Sequence, residues 1–570
     1  MSTPGIHRCL PTFVIFILVI ASPFSASRDP IAAKNGMVVS VDGLASQVGI
    51  DILRKGGNAV DAAVAVGFAL AVVHPGAGNI GGGGFMVIHM DRNGEETTLD
   101  YRETAPATAS REMYLDDNGK VIPRLSTVGH KAVAVPGSVR GLNEAWKKYG
   151  QLKWEELVQP AIELAEKGFP ASAALVQSLK EKAIADKLSQ FPESKRIFLN
   201  NGNFYSEGDL LVQKELGATL RRISHQGPAG FYEGPVAEAT VKEMEKHGGL
   251  ITLSDLKNYQ VRFRSPIRGS YRGYEIISMG PPSSGGIALI EMLNMLERFP
   301  VAQLGFASSR EIHLKAEIMR RAFADRAEFL GDSDFVKVPG KGLTSKEYAA
   351  LVSSGISGDY ASPSSVVGHG KPAAYESPET THYSVVDKDD NAVAVTTTLN
   401  DSYGSGVTVA GAGFLLNDEM DDFTSKPGVP NMFKLIQGEA NAIAPKKRPL
   451  SAMTPTIVKK DNKLFIVTGS PGGPTIINTV FQVLVNVIDH RMNIQEAVDA
   501  SRVHHQWLPD ELLVEKDGIS RDVERALEGK GHVLKFRDKI GDAHSILIDP
   551  QTRVRYGAAD PRRSGLAVGY

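Results

Sequence analysis

Cysteine is almost absent from this chain of 570 residues, which contains a single one, Cys9. One cysteine excludes an intramolecular disulfide and any zinc cluster built from several thiolates. It lies in residues 1–27, where His7 and Arg8 precede an apolar run from 13 to 21 and the small residues 25–27 follow. This order is typical of a secretory signal peptide. Its removal would leave a cysteine-free protein and predicts a periplasmic or secreted location.

Long apolar runs are also scarce. The N-terminal run is well short of the roughly 20 residues that a membrane span needs. The Ala- and Val-rich stretch 59–73 follows a Gly-Gly-Asn turn and contains Asp61. We therefore predict a buried helix of small residues there, and no stable membrane anchor.

An excess of one charge is missing as well, since 63 Lys and Arg stand against 65 Asp and Glu. A balanced charge predicts no general attraction to nucleic acid. His504 and His505 are adjacent, and neighbouring side chains on a strand point to opposite faces. A structural role is therefore favoured for them over a metal site, and no metal or other cofactor is predicted.

Glycine is plentiful in one segment, residues 74–85, where Gly81 to Gly84 are consecutive. Neither a Gly-Lys-Ser/Thr sequence nor a dinucleotide fingerprint accompanies them, so a phosphate-binding loop is disfavoured. Glycines more often permit close backbone packing. Alternating residues at 85–101 around an Arg-Asn-Gly turn predict a β-hairpin beside this segment.

A second hairpin is predicted by β-branched runs at 382–387 and 392–399, separated by a Lys-Asp-Asp-Asn turn. A turn centred near Asp389-Asp390 pairs residues whose numbers add up to about 780. That register places Thr380 opposite the region of Thr398 to Asn400. By itself, a pair of threonines at the start of a strand is usually structural.

Other segments show a simpler pattern. Helical spacing of apolar residues predicts helices at 154–167, 208–223, 235–247 and 309–330. A strand at 271–279 leads into Ser283 and Ser284 before another helix, and one of these serines is expected to cap it. Residues 355–378 are rich in Ser, Gly and Pro and predict a mobile loop. A strand at 464–468 is followed by Gly472-Gly473 and an apolar helix.

The sequence Thr-Thr-His-Tyr-Ser-Val-Val-Asp at 380–387 resembles the start of the small subunit of bacterial γ-glutamyltransferases, which are N-terminal-nucleophile hydrolases. The resemblance implies an α+β fold, a four-layer αββα sandwich. It also implies that the chain cuts itself between Glu379 and Thr380. A large subunit (28–379) and a small subunit (380–570) would then stay intertwined as one fold.

An N-terminal threonine solves a chemical problem. A hydroxyl is a poor nucleophile near neutral pH, and the free α-amine of the same residue, with a pKa of about 7.7–8.0, can act as its base. The cut would therefore expose Thr380 and supply its base. In the family, a threonine at the position of Thr398 hydrogen-bonds the nucleophile, and a glycine pair at Gly472 and Gly473 forms the oxyanion hole.

The resemblance also assigns the substrate-binding residues. The α-carboxylate of a γ-glutamyl group would be bound by Arg102 and Ser451, and its α-amine by Asn400, Glu419 and Asp422. Guanidinium binds carboxylates in a bidentate manner, and the acidic groups suit an ammonium.

Two positions depart from the family pattern. Ala452 replaces the second of two consecutive serines, and the loss of one hydrogen bond to a charged group weakens binding by about 1.5–3 kcal/mol if nothing replaces it. Phe433 stands in a loop that resembles a lid over the substrate, where close relatives often have tyrosine.

The predicted function is γ-glutamyl transfer from glutathione and related amides to water, an amino acid or a peptide. Two alternatives remain open. A cephalosporin (glutaryl) acylase of the same fold would take an acyl group without an α-amine, and the presence of Asp422 argues against it. An uncleaved, non-enzymatic secreted binding protein is the other, against which the set of Thr380, Thr398 and Gly472-Gly473 argues.

Overall fold

A computed structural model describes residues 27–372 and 382–570. The predicted signal peptide, apart from Ser27, and the predicted cleavage site Glu379-Thr380 lie outside these residues. So does the end of the predicted loop at 355–378, whose described part, 355–372, contains neither helix nor strand. Every helix in the described ranges is too short or too polar to pass through a lipid bilayer.

The strands of the described residues are Ile31–Ala33 (β1), Met37–Ser40 (β2), Gly83–Met90 (β3), Glu95–Asp100 (β4), Phe169–Pro170 (β5), Leu210–Leu211 (β6), Arg262–Arg264 (β7), Ile267–Tyr271 (β8), Tyr274–Ser278 (β9), Tyr383–Val386 (β10), Ala392–Thr398 (β11), Thr456–Lys460 (β12), Lys463–Thr468 (β13), Val503–His504 (β14), Leu512–Glu515 (β15), Leu534–Arg537 (β16), His544–Ile548 (β17), Arg555–Ala559 (β18) and Leu566–Gly569 (β19).

The α-helices of the same residues are Gly43–Arg54 (α1), Ala59–Val73 (α2), Ser138–Tyr149 (α3), Trp154–Lys167 (α4), Ala173–Lys180 (α5), Lys182–Leu188 (α6), Pro192–Phe198 (α7), Lys214–Gln226 (α8), Ala229–Tyr232 (α9), Gly234–His247 (α10), Leu253–Asn258 (α11), Gly285–Leu296 (α12), Val301–Leu304 (α13), Ser309–Phe329 (α14), Gly340–Leu343 (α15), Lys346–Ser353 (α16), Thr475–Ile488 (α17), Ile494–Asp499 (α18) and Arg521–Gly529 (α19).

Two seven-stranded sheets form the centre of the molecule. Their strand orders are β1-β18-β17-β13-β12-β9-β8 and β19-β2-β10-β11-β3-β4-β7. Neighbouring strands in both sheets run antiparallel. Both sheets contain strands from before and after residues 373–381, so the two parts of the chain are interleaved.

Successive side chains of a strand point to opposite faces of its sheet. One set therefore packs between the two sheets, and the other set packs against the helices outside them. Val39 and Phe85 of the second sheet pack against Ile277 and Val467 of the first, between the sheets. Val38, on the other face, packs with α1 and α2. The outer face of the first sheet packs with α12, α14 and α17. These clusters give the order helix, sheet, sheet, helix and confirm the predicted αββα sandwich.

Most predicted elements are confirmed. The stretch 59–73 is a helix in which every residue is buried, and the hairpin at 85–101 is present as β3 and β4. The helix predicted at 208–223 begins only at Lys214. The strand predicted at 271–279 is confirmed as β9, but it begins only at Tyr274, because Arg272 and Gly273 both have positive φ and form a turn between β8 and β9.

The hairpin of β10 and β11 is confirmed with a shift of one residue in each strand. Tyr383 pairs with Val395 and Val386 with Ala392, so paired numbers add up to 778. The turn centres on Asp389 rather than between Asp389 and Asp390, since the backbone amide of Asp387 donates to the carbonyl of Asn391 at 3.1 Å. This hairpin lies in the middle of the second sheet, between β2 and β3.

Candidate active site

A cavity of about 250 Å³ opens where β11 ends and the two sheets meet. Seven of the predicted site residues line it: Thr398, Asn400, Glu419, Asp422, Ser451, Gly472 and Gly473. Arg102 lies behind the acidic residues, in contact with them. The predicted nucleophile Thr380 and its neighbour Glu379 lie outside the described residues.

Thr398 ends strand β11 at the edge of this cavity. Its side-chain oxygen accepts a hydrogen bond from the backbone amide of Asn400 at 2.8 Å, and its carbonyl accepts one from the Asn79 side chain at 2.8 Å. A Cβ atom on Gly82 would lie 2.0 Å from the same carbonyl oxygen. The glycine run therefore permits close backbone approach beside Thr398, as predicted.

His382 is the first described residue after the gap. Its Nε2 lies 2.6 Å from the Ser384 hydroxyl and 2.9 Å from the carbonyl oxygen of His544. Burial lowers the pKa of His382 well below its usual range, so the ring is neutral at physiological pH. The start of β10 is thereby fastened to the first sheet.

The acidic wall of the cavity is a 3₁₀ turn, Glu419–Asp422. Two of its acidic residues contact Arg102, whose Nη1 donates to Glu419 and whose Nη2 donates to Asp422 at 2.5 Å. The Arg102 side chain is fully buried, whereas that of Asp422 is 13% exposed and faces the cavity. The predicted carboxylate clamp is thus an ion-pair partner of the predicted amine acceptors.

Three carboxyl groups lie within ion-pair distance of the single guanidinium of Arg102. Glu103 is fully buried, lies 3.7 Å from Arg102, and has no hydrogen-bond partner for either carboxylate oxygen in the described part of the chain. Burial raises the pKa of Glu103, Glu419 and Asp422 above their usual values. A raised pKa means that these acids bind their protons more tightly, and a cation placed beside them in the cavity would favour their ionised forms.

Ser451 and Ala452 also line the cavity, and the Nε of Arg102 donates to the carbonyl of nearby Pro449 at 3.3 Å. The carbonyl oxygen of Ser451 accepts hydrogen bonds from the backbone amide and the hydroxyl of Ser284, at 2.9 and 2.7 Å. Its amide donates to the carbonyl of Pro282 at 2.7 Å. The segment before α12 therefore fixes Ser451, while the methyl group of Ala452 faces the cavity beside it.

The cap predicted at α12 is only partly confirmed. The hydroxyl of Ser283 accepts from the Gly285 amide at 3.0 Å, whereas Ser284 makes no side-chain cap. Ser284 instead bonds Ser451 and accepts from the Nε of Arg326 at 2.8 Å. Its hydroxyl is used for tertiary contacts and not for the helix end.

Gly472 and Gly473 form the turn from β13 into α17, with φ values of +134° and +57°. Within the described ranges neither backbone amide has a hydrogen-bond acceptor. Free amides that line a cavity are suited to stabilise a developing oxyanion. A Cβ on Gly473 would lie 3.1 Å from the ring of Phe433, so the loop 426–438 lies directly over this turn.

That loop is fastened at its middle. Asn431 accepts hydrogen bonds from the backbone amides of Phe433 and Leu435, both at 3.1 Å. The buried carboxylate of Asp421 accepts from the Met432 amide at 3.1 Å and from the hydroxyl of Ser126 at 2.6 Å. Burial raises the pKa of Asp421 to about 6.

His504 and His505 are held by different groups. His504 bonds Asn478 at 2.7 Å and Gln506 at 3.0 Å. His505 lies 3.2 Å from the carboxylate of Asp510. All of these partners are protein groups, which accounts for the pair as structural residues.

Arg326 is a cavity-lining residue that was not found from the sequence. Arg326 belongs to α14, in which every residue from Glu311 to Ala327 is buried. An arginine within a helix normally indicates a solvated face, and no local pattern distinguishes a buried one. Its neighbour Ser284 was noticed, but as a cap.

Comparison with known proteins gives a consistent result. The family model described as Gamma-glutamyltranspeptidase matches residues 45–570. The glutathione hydrolase proenzyme of Escherichia coli (strain K12) is 52% identical over 542 residues, which cover 95% of this chain and 93% of that protein. The acylase ACY 1 proenzyme of Pseudomonas sp. (strain SE83) is 38% identical over 564 residues, 96% of this chain and 95% of that protein.

Among solved structures, a cephalosporin acylase from Bacillus halodurans has a TM-score of 0.85 at 27% identity, and the match covers 98% of this chain and 99% of that one. Glutathione hydrolase relatives and acylase relatives therefore both match nearly the whole chain.

Proposed function

The chain belongs to the gamma-glutamyltranspeptidase family, and on that premise we propose that it is a glutathione hydrolase and γ-glutamyltransferase that activates itself by cleavage between Glu379 and Thr380. One observation carries the proposal. A single cavity brings together the end of strand β11, an acid-rich wall, a serine and two free backbone amides. Each of these meets a different demand of γ-glutamyl transfer.

Thr380 is the proposed nucleophile. The observed pairing of β10 with β11 has residue numbers that add up to 778. Position 380 lies outside the described residues, and a register continued that far would bring it opposite Thr398. Thr398 is at the cavity edge. In the precursor, the Thr380 hydroxyl attacks the carbonyl carbon of Glu379, and the peptide C–N bond breaks, which leaves an ester and frees the α-amine. Water then hydrolyses the ester and releases the Thr380 hydroxyl and the Glu379 carboxylate.

The catalytic cycle then has two steps. The Thr380 oxygen attacks the γ-carbonyl carbon while its proton passes to the α-amine, and the oxyanion is stabilised by the amides of Gly472 and Gly473. The amide bond breaks, and the leaving amine takes up the proton. Water, an amino acid or a peptide next attacks the acyl ester and releases Thr380.

The acidic wall explains the preference for a γ-glutamyl group. Glu419 and Asp422 line the cavity with Asn400, and an α-ammonium beside these acids would favour their ionised forms. Arg102 and Ser451 are proposed to bind the α-carboxylate.

A glutaryl acylase is the second candidate, because relatives of that kind match over nearly the whole chain and Ala452 alters the carboxylate wall. A glutaryl group has no ammonium, so it offers Glu419 and Asp422 no cation with which to pair. Buried acids without a counter-charge are costly, which favours the γ-glutamyl donor.

The cut would produce subunits of residues 28–379 and 380–570 once the segment 1–27 is removed. We propose export to the periplasm or the medium on the strength of that segment. No cofactor or metal takes part in the proposed reaction, and the two subunits remain partners in one fold.

The test is intact-mass analysis of the purified protein with N-terminal sequencing. The proposal expects two chains, the smaller beginning Thr-Thr-His-Tyr, and turnover of γ-glutamyl p-nitroanilide at a rate well above that of the glutaryl anilide. Thr380→Ala should remain one inactive chain, while the matched control Thr381→Ala should still be cut. Efficient cleavage of Thr380→Ala would remove the nucleophile assignment, and a preference for the glutaryl anilide would favour the acylase.

A further inference from the structure

Two histidines and a glutamate lie together at the end of α10. Glu243 and His247 belong to this helix, and His130 lies in the 3₁₀ turn His130–Ala132. One nitrogen or oxygen atom of each side chain lies within 4.8 Å of the corresponding atoms of the other two. The three residues are not among those that line the candidate active site, so the proposed reaction does not use them.

Helix α10 presents two of the three groups on one face. Residues four positions apart are neighbours on a helix surface, one turn from each other, and Glu243 and His247 have this spacing. His247 is also the last residue of α10. The carbonyl groups at the end of a helix carry a partial negative charge, which favours a cation there.

His130 is held against this helix end by the chain that leaves α10. A Cβ atom added to Gly249 would lie 3.1 Å from the Cβ of His130. The rings of His130 and His247 stack with their centroids 4.5 Å apart. The His130 side chain is 7% exposed and that of His247 is 41% exposed, so one imidazole is fixed in the protein and the other faces solvent.

The distances between these groups are close to those of a zinc site. The Nε2 of His130 lies 3.0 Å from a carboxylate oxygen of Glu243, and the Nε2 of His247 lies 3.6 Å from the same oxygen. Ligand atoms about 2.0–2.1 Å from a tetrahedral Zn²⁺ are roughly 3.3 Å from each other. The two distances lie on either side of this value, and a small rotation of the exposed His247 would place all three atoms around one ion.

We propose that His130, Glu243 and His247 bind one Zn²⁺, with water from the solvent in the fourth position. Two imidazoles and a carboxylate suit zinc and other late transition metals, whereas Mg²⁺ and Ca²⁺ prefer sites made of oxygen atoms. His130 and Glu243 are 113 positions apart in the chain, which is why sequence spacing did not indicate this group.

The ion would connect α10 to the segment 129–134, which supports the candidate active site from behind. The backbone amide of Ala134 donates to the side-chain oxygen of Asn417 at 2.9 Å, and the amide of Glu419 donates to the same oxygen at 3.1 Å. The proposed site is therefore structural: it stabilises the packing behind the acidic turn without contacting the substrate.

The test is calorimetric titration of the purified, chelator-treated protein with Zn²⁺. Wild type should bind one ion per molecule at a site for which Mg²⁺ and Ca²⁺ do not compete. His247→Ala removes an exposed side chain and should weaken this binding at least about tenfold, since the loss of an outer-shell partner already costs about 10- to 100-fold. The matched control His225→Ala removes an exposed histidine at the end of α8 and should leave binding unchanged. Equal affinity in wild type and His247→Ala, or effective competition by Ca²⁺, would overturn the proposal.

Stability and spectroscopy give independent readouts. At a free Zn²⁺ concentration 100 times its Kd, the Tm of wild type should rise by about 2 °C, and that of His247→Ala should not change. Co²⁺ in place of zinc should show the intense visible absorption of a four-coordinate ion, which Glu243→Gln and His130→Gln should abolish. A weak six-coordinate spectrum that these variants leave unchanged would assign the ion to other groups and contradict the site.

Neither measurement depends on self-cleavage, so the two proposals fail separately. An uncut, inactive chain that binds one Zn²⁺ through His247 would uphold the metal site and overturn the proposed function. An active enzyme that binds zinc no better than its His247→Ala variant would do the reverse.

Discussion

Single side chains determine how strongly this cavity binds a substrate, and Ala452 is the clearest example. It presents a methyl group beside Ser451, so the carboxylate wall has one hydroxyl fewer than the family pattern. A hydrogen bond to a charged group contributes about 1.5–3 kcal/mol. A hydroxyl at this position should therefore strengthen the binding of the substrate carboxylate.

We expect Ala452→Ser to lower the KM for γ-glutamyl p-nitroanilide roughly tenfold with little change in kcat, because the new contact is remote from the reacting carbonyl. Steady-state kinetics measure this. Ala452→Gly, which adds no hydroxyl, serves as the control and should not lower KM. A raised KM in Ala452→Ser would mean that the site has no room for the oxygen.

Asp421 supplies a prediction on pH. Its raised pKa means that the folded protein binds the proton more tightly than the unfolded chain does. The stability from this group is complete below about pH 4 and is lost as the pH rises through about 6. The loss is on the order of 2–3 kcal/mol. Asp421→Asn removes the titration.

The difference in Tm between Asp421→Asn and wild type should therefore shift in favour of the variant between pH 4 and 6.5 and then level off. Differential scanning fluorimetry across that range measures it. The exposed Asp117→Asn is the control and should give a flat difference. A flat curve for Asp421→Asn would contradict the effect of burial.

At the level of elements, the loop 426–438 and the turn at Gly472-Gly473 depend on each other. Phe433 packs over Gly473, and the positive φ of this glycine is one that residues with a side chain rarely adopt. The predicted strand 464–468 and the helix after it were both found from the sequence, because their hydrophobic patterns are local. The contact between lid and turn is not local and leaves no such pattern.

Gly473→Ala should lower kcat roughly 10- to 100-fold, because the added methyl group meets the Phe433 ring and shifts the oxyanion-binding amide. Single-turnover kinetics measure the chemical step. Gly428→Ala is a matched control: its φ is +78°, but nothing lies within 4 Å of the added Cβ. Similar losses in both variants would assign the effect to backbone strain alone.

The sequence predicted elements better than side-chain partners. The hairpin β10–β11 came within one residue per strand because its turn and β-branched runs are adjacent in the chain. Arg102 is predicted to bind a substrate carboxylate, and its pairing with Glu419 and Asp422 was not foreseen. Those contacts join residues more than three hundred positions apart, and sequence spacing carries no information about them.

Across the whole molecule, the two parts of the chain share both large sheets. Strands β10 and β11 lie between β2 and β3, and β12 lies beside β9. After the proposed cut we expect the subunits to co-elute in size-exclusion chromatography and to separate only in denaturant. Separate elution in native buffer would contradict this.

A single cooperative unfolding transition should also be seen for the mature enzyme, because neither part has a complete sheet to fold around. Denaturant unfolding followed by fluorescence and by circular dichroism should give coincident curves. Two separated transitions would show that the parts are independent.

The interleaved sheets also set the reaction order of refolding. An uncut precursor refolds as one molecule, at a rate that does not depend on concentration. Once the chain is cut, the same sheets have to be assembled from two polymers, and recovery becomes a second-order process that competes with aggregation. Self-cleavage would thus produce the active enzyme at the cost of efficient refolding. If the two parts were expressed from separate genes divided at this codon, even their first folding would depend on this second-order assembly.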